Sequence, residues 1–362
     1  MDTKGTSDFL CTFVSLQQTM KVVVDDKIPY IRGQVERLAD EVVYLPGSQI
    51  AAGDVRDADA LIIRTRTYCN RQLLEGSRVR FIATATIGYD HIDTEYLQEA
   101  GIQWTNCPGC NATSVAQYVR NSLFVAEQQG IIRLSEATVG IVGYGHVGMA
   151  VYNALQPYVK EVLLNDPPLF EREEERSSIY YSLSTLHERC DIITLHTPLT
   201  YDGQWPTFHL VDKQFLANLK RQPILINAAR GEVVDSKALE EALDEGLVCQ
   251  AIIDTWEDEP HINRSLLDKV FIGTPHIAGY SADGKANATR MVLHALSVWM
   301  GRAEQFDIQP LSLPEDFIPA QDERELALQL YNPITDSLRL KQTPDSFEEQ
   351  RSAYPLRREV YG

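Results

Sequence analysis

Short apolar runs recur along the chain, and helical patterns lie between them. The first series opens at Lys21 with KVVVDD and continues through EVVYLP, ALIIRT, RFIATA and IQWTNC. A helical IRGQVERLAD follows its first run, and DTEYLQEA separates its last two. Runs of this kind, apolar without alternation, suit strands covered on both faces, the habit of a parallel sheet. The second series is ATVGIVGYGHVGMAVYNAL, EVLLND, CDIITLHT, PILINAAR, LVCQAIIDTW and KVFIGTPH. Helical stretches intervene again, among them SKALEEALDEG from Ser236, which Gly246 should stop. Two α/β units follow from this alternation, the second a doubly wound sheet.

Between the two series, Val115, Tyr118, Val119, Ser122 and Leu123 repeat at helical spacing, with Thr113 or Ser114 as the cap. This helix reads as a spacer between domains. A last helical stretch, GKANATRMVLHALSVWMG, returns to the first unit and makes it discontinuous. The expected boundaries are 20–112 with 279–302 for the first unit and 113–278 for the second. Residues 1–19, ahead of Met20, read as a disordered extension. Residues 303–362 are Pro-rich and too few to stand alone, so they read as an appendage that pairs with a partner subunit.

Composition narrows the class. The 362 residues are 44% hydrophobic and 23% charged, ordinary for a globular chain. With 33 basic against 51 acidic residues the net charge is −18, which repels phosphate backbones and argues against a nucleic-acid partner. An anionic substrate would need locally placed cations. No apolar run is long enough for a membrane span, and the apolar patch Phe9–Leu16 lacks the basic flank of a signal peptide. The six cysteines do not form a disulfide framework. CPGC, Cys107 to Cys110, has half a zinc site's spacing but no second pair, so a tight Pro-Gly turn is the better account and no metal is expected. The picture is a reduced, cytoplasmic protein.

VGIVGYGHVG places Gly143, Gly145 and Gly148 between a strand and a helix. The first permits the tight turn, the second lets backbone approach a pyrophosphate, and the third lets helix and strand pack closely. Asp166 ends the next strand about 20 residues on, where an acid meets adenine-ribose hydroxyls and repels a 2′-phosphate. This is a Rossmann pattern that favours NAD over NADP.

Three polar residues stand at later strand exits: Arg230 after PILINAA, Glu259 after AIIDTWED, and His276 after FIGTP. Taken singly they have plain accounts: a surface arginine, one of several acids in a turn, a strand cap. Taken together they are the set that hydride removal from a 2-hydroxy acid needs. His276 would take the hydroxyl proton, and Glu259 would orient and charge the imidazole. Arg230 would hold the substrate carboxylate and polarise the C2 oxygen.

These strings resemble the D-isomer-specific 2-hydroxyacid dehydrogenases. VGIVGYGHVG, LHTPL, LINAARGEVVD, DTWEDEP and PHIAG carry the general likeness. LIIRT, FIATATIGYDHID, PGCNA, NDPP, HIAGYSADGKA and YPLRRE resemble a narrower branch, whose substrate is a small phosphorylated 2-hydroxy acid. The resemblance implies a flavodoxin-like substrate (lid) domain, an NAD-binding Rossmann domain, a small C-terminal dimerisation segment and a homodimer. It makes Arg230, Glu259 and His276 catalytic. NAD would contact the glycine turn with His146 and Val147, then Asp166, Thr197, Asn227, Ala228, Ala229, Arg230, Asp254 (beside the carboxamide) and Gly279. Substrate would meet Arg64, Thr65, Thr86 and Tyr280. Thr65 stands where a serine is common, and the C-terminal segment reads as shorter than usual. Arg64 or Arg66 is expected on the substrate phosphate. Another 2-hydroxy acid such as glycerate or phosphoglycerate, and a non-catalytic NAD-sensing protein, remain open alternatives.

Overall fold

The structure is a computed structural model in which residues 19–172 and 178–360 are described. The expected extension before Met20 therefore lies, but for Thr19, outside the described residues. The chain divides into two compact units. One holds the residues up to Thr105 with Val292–Glu304, and the other holds Asn106–Met291 with Gln305–Gly362. The division at the C-terminal side falls within the helix Ala282–Trp299, not at 279.

In the first unit, β1 (Lys21–Asp25), β2 (Glu41–Leu45), β3 (Ala60–Ile63), β4 (Phe81–Thr84) and β5 (Gln103–Thr105) form one parallel sheet in the order β2-β1-β3-β4-β5. This is the flavodoxin-like order. β3 and β4 are buried along their whole length, as runs without polar alternation require. The returning segment stacks Trp299 on Phe81 at 5.3 Å and donates from Arg302 to the Leu38 carbonyl. IRGQVERLAD departs from expectation. It forms turns and a single 3₁₀ turn, Val35–Arg37, because Gly33 sits at a φ of 78°, which breaks a helix at its start.

The second unit holds β6 (Thr138–Val142), β7 (Glu161–Asn165), β8 (Ile192–Leu195), β9 (Ile224–Asn227), β10 (Gln250–Ile253) and β11 (Ile272–Gly273), all parallel, in the order β11-β10-β9-β8-β6-β7. A bridge from Leu164 to Tyr180 beyond β7 marks the place of a further edge strand. The order reverses between β6 and β8, the switch point where ligands bind in such sheets. Alternate residues feed two cores. Ile224, Ile226 and Ile252 join one face, while Leu225, Ala251 and Ile253 join the other.

Two expectations change here. The helix Ala112–Gln128 is no spacer: Ser114, Gln117, Tyr118, Asn121 and Ser122 are all buried inside this unit. It starts after Asn111, and Ser114 donates instead to the Ala278 carbonyl. The C-terminal residues are not a loose appendage either. Ala327 and Tyr331 enter one core and Leu340 and Phe347 the other, and Asn121 Nδ2 donates to both the Ala327 and Tyr331 carbonyls. CPGC forms the expected turn, with Cys110 N donating to Cys107 O. Both thiols are buried, and no metal-holding cluster occurs among the described residues. No described helix is long and apolar enough to cross a membrane.

Candidate active site

The glycine turn behaves as its spacing implies. Gly143 adopts a φ of +90°, and a Cβ there would come within 2.7 Å of the His196 carbonyl group. A Cβ on Gly148 would stand 2.0 Å from Gly143 O, so the helix His146–Leu155 packs this closely only without one. Gly145 faces open space. Beside it lies a cavity of about 920 Å³, lined in part by Gly143, Gly145, Asp166, His196 and Thr197. His146 and Val147 are the first residues of that helix. Asp166 accepts from Tyr144 N and Leu169 N, one bond on each oxygen, which leaves lone pairs for a ribose. Thr197 Oγ1 and His196 Nδ1 are shut from solvent and have no hydrogen-bond partner. Burial pulls the His196 pKa down to about 3, so its ring is neutral. Open backbone at Gly145, a helix N-terminus and orphaned polar atoms together fit a dinucleotide.

The three expected catalytic residues lie past the ends of three adjacent strands: Arg230 after β9, Glu259 after β10, His276 after β11. Asn227 shapes the first exit, accepting from Ala229 N and donating to Arg230 O and Thr255 O. Arg230 itself donates from Nη1 to the Ala229 carbonyl. His276 Nδ1 is 2.8 Å from Glu259 Oε2 and 3.1 Å from Oε1. Burial opposes the charge on Glu259. The hydrogen bond and charge of His276, the Trp256 N–H and Arg351 outweigh it and hold the carboxyl below its ordinary range.

His276 has a φ of 56°, a left-handed conformation that non-glycine residues adopt at a cost. Asp254 holds it there. The His276 N–H donates to the Asp254 carbonyl, and the Asp254 carboxylate accepts from Ile277 N, Ala278 N and Thr274 Oγ1. Asp254 is 1% exposed, its carboxylate enclosed by Thr274, Ile277 and Ala278 of the loop after β11. Burial pushes its pKa up. Ala228 and Ala229 lie at the β9 exit and Gly279 in the loop after His276, where Asn111 Nδ2 donates to Gly279 O.

Buried Arg357 braces the same loop. It donates to the Ile277, Tyr280 and Ala278 carbonyls, to Ser114 and to Gln117, and lies 3.9 Å over the Tyr331 ring. Tyr280 packs edge-on against Tyr354 and lies under Lys285 Nζ at 4.5 Å. Arg357 lies in the closing YPLRRE, and Arg351 lies outside every motif of the sequence.

In the first unit, Arg64 is paired with Asp25. Its Nε and Nη2 both sit on the fully buried Asp25 carboxylate, at 3.0 and 3.3 Å. The Arg64 side chain remains 29% exposed. Thr65 and Arg66 are exposed beyond β3. Thr86 donates to Gly88 O and pairs with Thr84, which in turn meets His91.

Residues 111–278 match the model for the D-isomer specific 2-hydroxyacid dehydrogenase NAD binding domain. The erythronate-4-phosphate dehydrogenase of Bacteroides thetaiotaomicron is 53% identical over 341 residues, 94% of this chain and 97% of that one. The chain belongs to the erythronate-4-phosphate dehydrogenase family. A relative of the same name from Porphyromonas gingivalis is 44% identical over 351 residues, 94% of each chain. Among solved structures, the 3-phosphoglycerate dehydrogenase of Entamoeba histolytica with bound NAD+ matches with a TM-score of 0.65 and 23% identity, covering 81% of this chain and 100% of that one. The D-lactate dehydrogenase of Aquifex aeolicus, complexed with NAD and lactic acid, matches with a TM-score of 0.61 and 23% identity, covering 78% and 96%. These two share the fold, and each leaves about a fifth of this chain without a counterpart.

Proposed function

We propose that the protein oxidises 4-phospho-D-erythronate to 2-oxo-3-hydroxy-4-phosphobutanoate with NAD, a step of pyridoxal 5′-phosphate biosynthesis. The observation that carries this reading is the Glu259–His276 pair, set past the ends of β10 and β11, next in the sheet to β9, which Arg230 follows. Bound NAD supplies the hydride acceptor. Gly143, Gly145, the N-terminus of the helix His146–Leu155, Asp166 and Thr197 would hold it. His276, with Nδ1 engaged by Glu259, directs Nε2 at the substrate and takes the C2 hydroxyl proton. Glu259 fixes the tautomer and offsets the charge the ring acquires. Arg230 grips the carboxylate and polarises the C2 oxygen. In the reverse direction His276 returns the proton.

The homodimer is part of the same proposal, supported by Leu311 and Ile318, which are 70% and 83% exposed on the C-terminal segment. His276→Asn tests enzyme against sensor. The variant should lose turnover by about 10²- to 10⁴-fold while NADH fluorescence titration gives an unchanged Kd. Turnover within a few-fold of the parent protein would sink the assignment of His276.

A further inference from the structure

Once Arg230 holds the substrate carboxylate, the phosphate still calls for a cation of its own in a protein of net charge −18. Arg64 already gives two donors to Asp25. In the second unit two arginines of the C-terminal segment reach the loop around His276, and they differ in how far their donors are used. Arg357 is 8% exposed and spreads its donors over carbonyls and side chains on every side. Arg351 leans on Glu259 through a single 3.5 Å contact from Nη1 and hydrogen-bonds Tyr280, yet its side chain remains 30% exposed. An arginine with open donors, next to the residue that binds the catalytic histidine, is poised for an anion.

Arg351 lies on the helix Phe347–Ser352, seated by Phe347, which is 1% exposed in the core. The position is thus fixed by packing and not by the arginine itself. The helix belongs to the C-terminal segment of the second unit, Gln305–Gly362.

We infer that Arg351 is a specificity residue, supplied by the C-terminal segment, whose guanidinium binds the phosphate of the substrate and so selects a phosphorylated 2-hydroxy acid. This rests on the function proposed above. Its neighbours Glu259 and Tyr280 would orient the fork, and the substrate phosphate would occupy the donors that now face solvent.

The test is steady-state kinetics on the full-length protein, Arg351→Ala and Arg351→Lys, with 4-phosphoerythronate and unphosphorylated erythronate. Loss of a charge-assisted hydrogen bond of about 2 kcal/mol corresponds to about 30-fold. The parent's preference for the phosphorylated substrate, taken as the ratio of kcat/KM values, should fall by about 30-fold in Arg351→Ala, chiefly through KM. Arg351→Lys should recover part of it. An unchanged ratio, whether both substrates suffer alike or neither does, overturns the inference and leaves Arg351 acting only through Glu259 or on the fold. The parent protein separates this from the function itself. If it oxidises a different phosphorylated 2-hydroxy acid, the substrate reading fails and the same ratio is measured with that acid and its dephosphorylated form. If it oxidises only unphosphorylated acids, both fail.

Discussion

His276 Nδ1 stands 2.8 Å from Glu259 Oε2, and the same carboxylate accepts the Trp256 N–H through Oε1. Glu259 is therefore tied to its own strand exit before it reaches the histidine. The pair is a fixed acid-base unit, and its neighbours are built to keep it so.

Replacing Glu259 with glutamine keeps the size and removes the charge. Glu259→Gln should lower kcat/KM by about 10²-fold with little change in NADH affinity. The folded carboxyl is held below its ordinary value. The stability it contributes is thus complete above that ordinary value and is lost as pH falls through the folded one. Chemical denaturation should show the parent's stability advantage over Glu259→Gln at pH 7 and its decline in acid below about pH 4. An advantage that grows in acid contradicts this.

Asp254 acts on the same histidine from behind. Its carboxylate accepts three hydrogen bonds, two of them from the backbone that follows His276. An amide at this position turns one acceptor into a donor facing donors. Asp254→Asn should cost about 1–3 kcal/mol of stability and reduce kcat by about tenfold or more, through displacement of His276. NADH Kd should hold within a few-fold. A large rise in Kd with unchanged stability would show that the carboxylate serves the cofactor and not the loop.

His196 gives the cleft a pH signature. Burial holds its pKa at about 3, against about 6.5 in an unfolded chain. The unfolded state binds the extra proton, so folding stability falls as pH drops from about 6.5 toward 3. At pH 5 the loss is up to about 2 kcal/mol. His196→Gln should lose less thermal stability than the parent between pH 7.5 and 5. Equal losses would refute the assignment.

The strands were legible in the sequence because each is a short, continuous apolar run, and the glycine turn because its spacing answers a steric need met within six residues. Arg230, Glu259 and His276 could be named because parallel topology delivers successive strand exits to one edge. What failed depended on contacts remote in sequence. Ser114 looked like a helix cap, but its hydroxyl bonds the Ala278 carbonyl. The C-terminal segment looked like an appendage because nothing local shows Phe347 in a core or Arg357 spanning from Gln117 to Tyr280. IRGQVERLAD failed for a local reason: its apolar spacing looked helical and hid the consequence of Gly33 within it.

The most direct test of the central claim is the initial rate of NADH formation by the purified protein, with 4-phospho-D-erythronate and 3-phosphoglycerate compared under identical conditions. The account predicts robust NADH formation with 4-phosphoerythronate and a kcat/KM at least about 10²-fold lower with 3-phosphoglycerate, the margin that a well-matched polar site can impose. Faster oxidation of 3-phosphoglycerate, or no NADH from either acid, would contradict it.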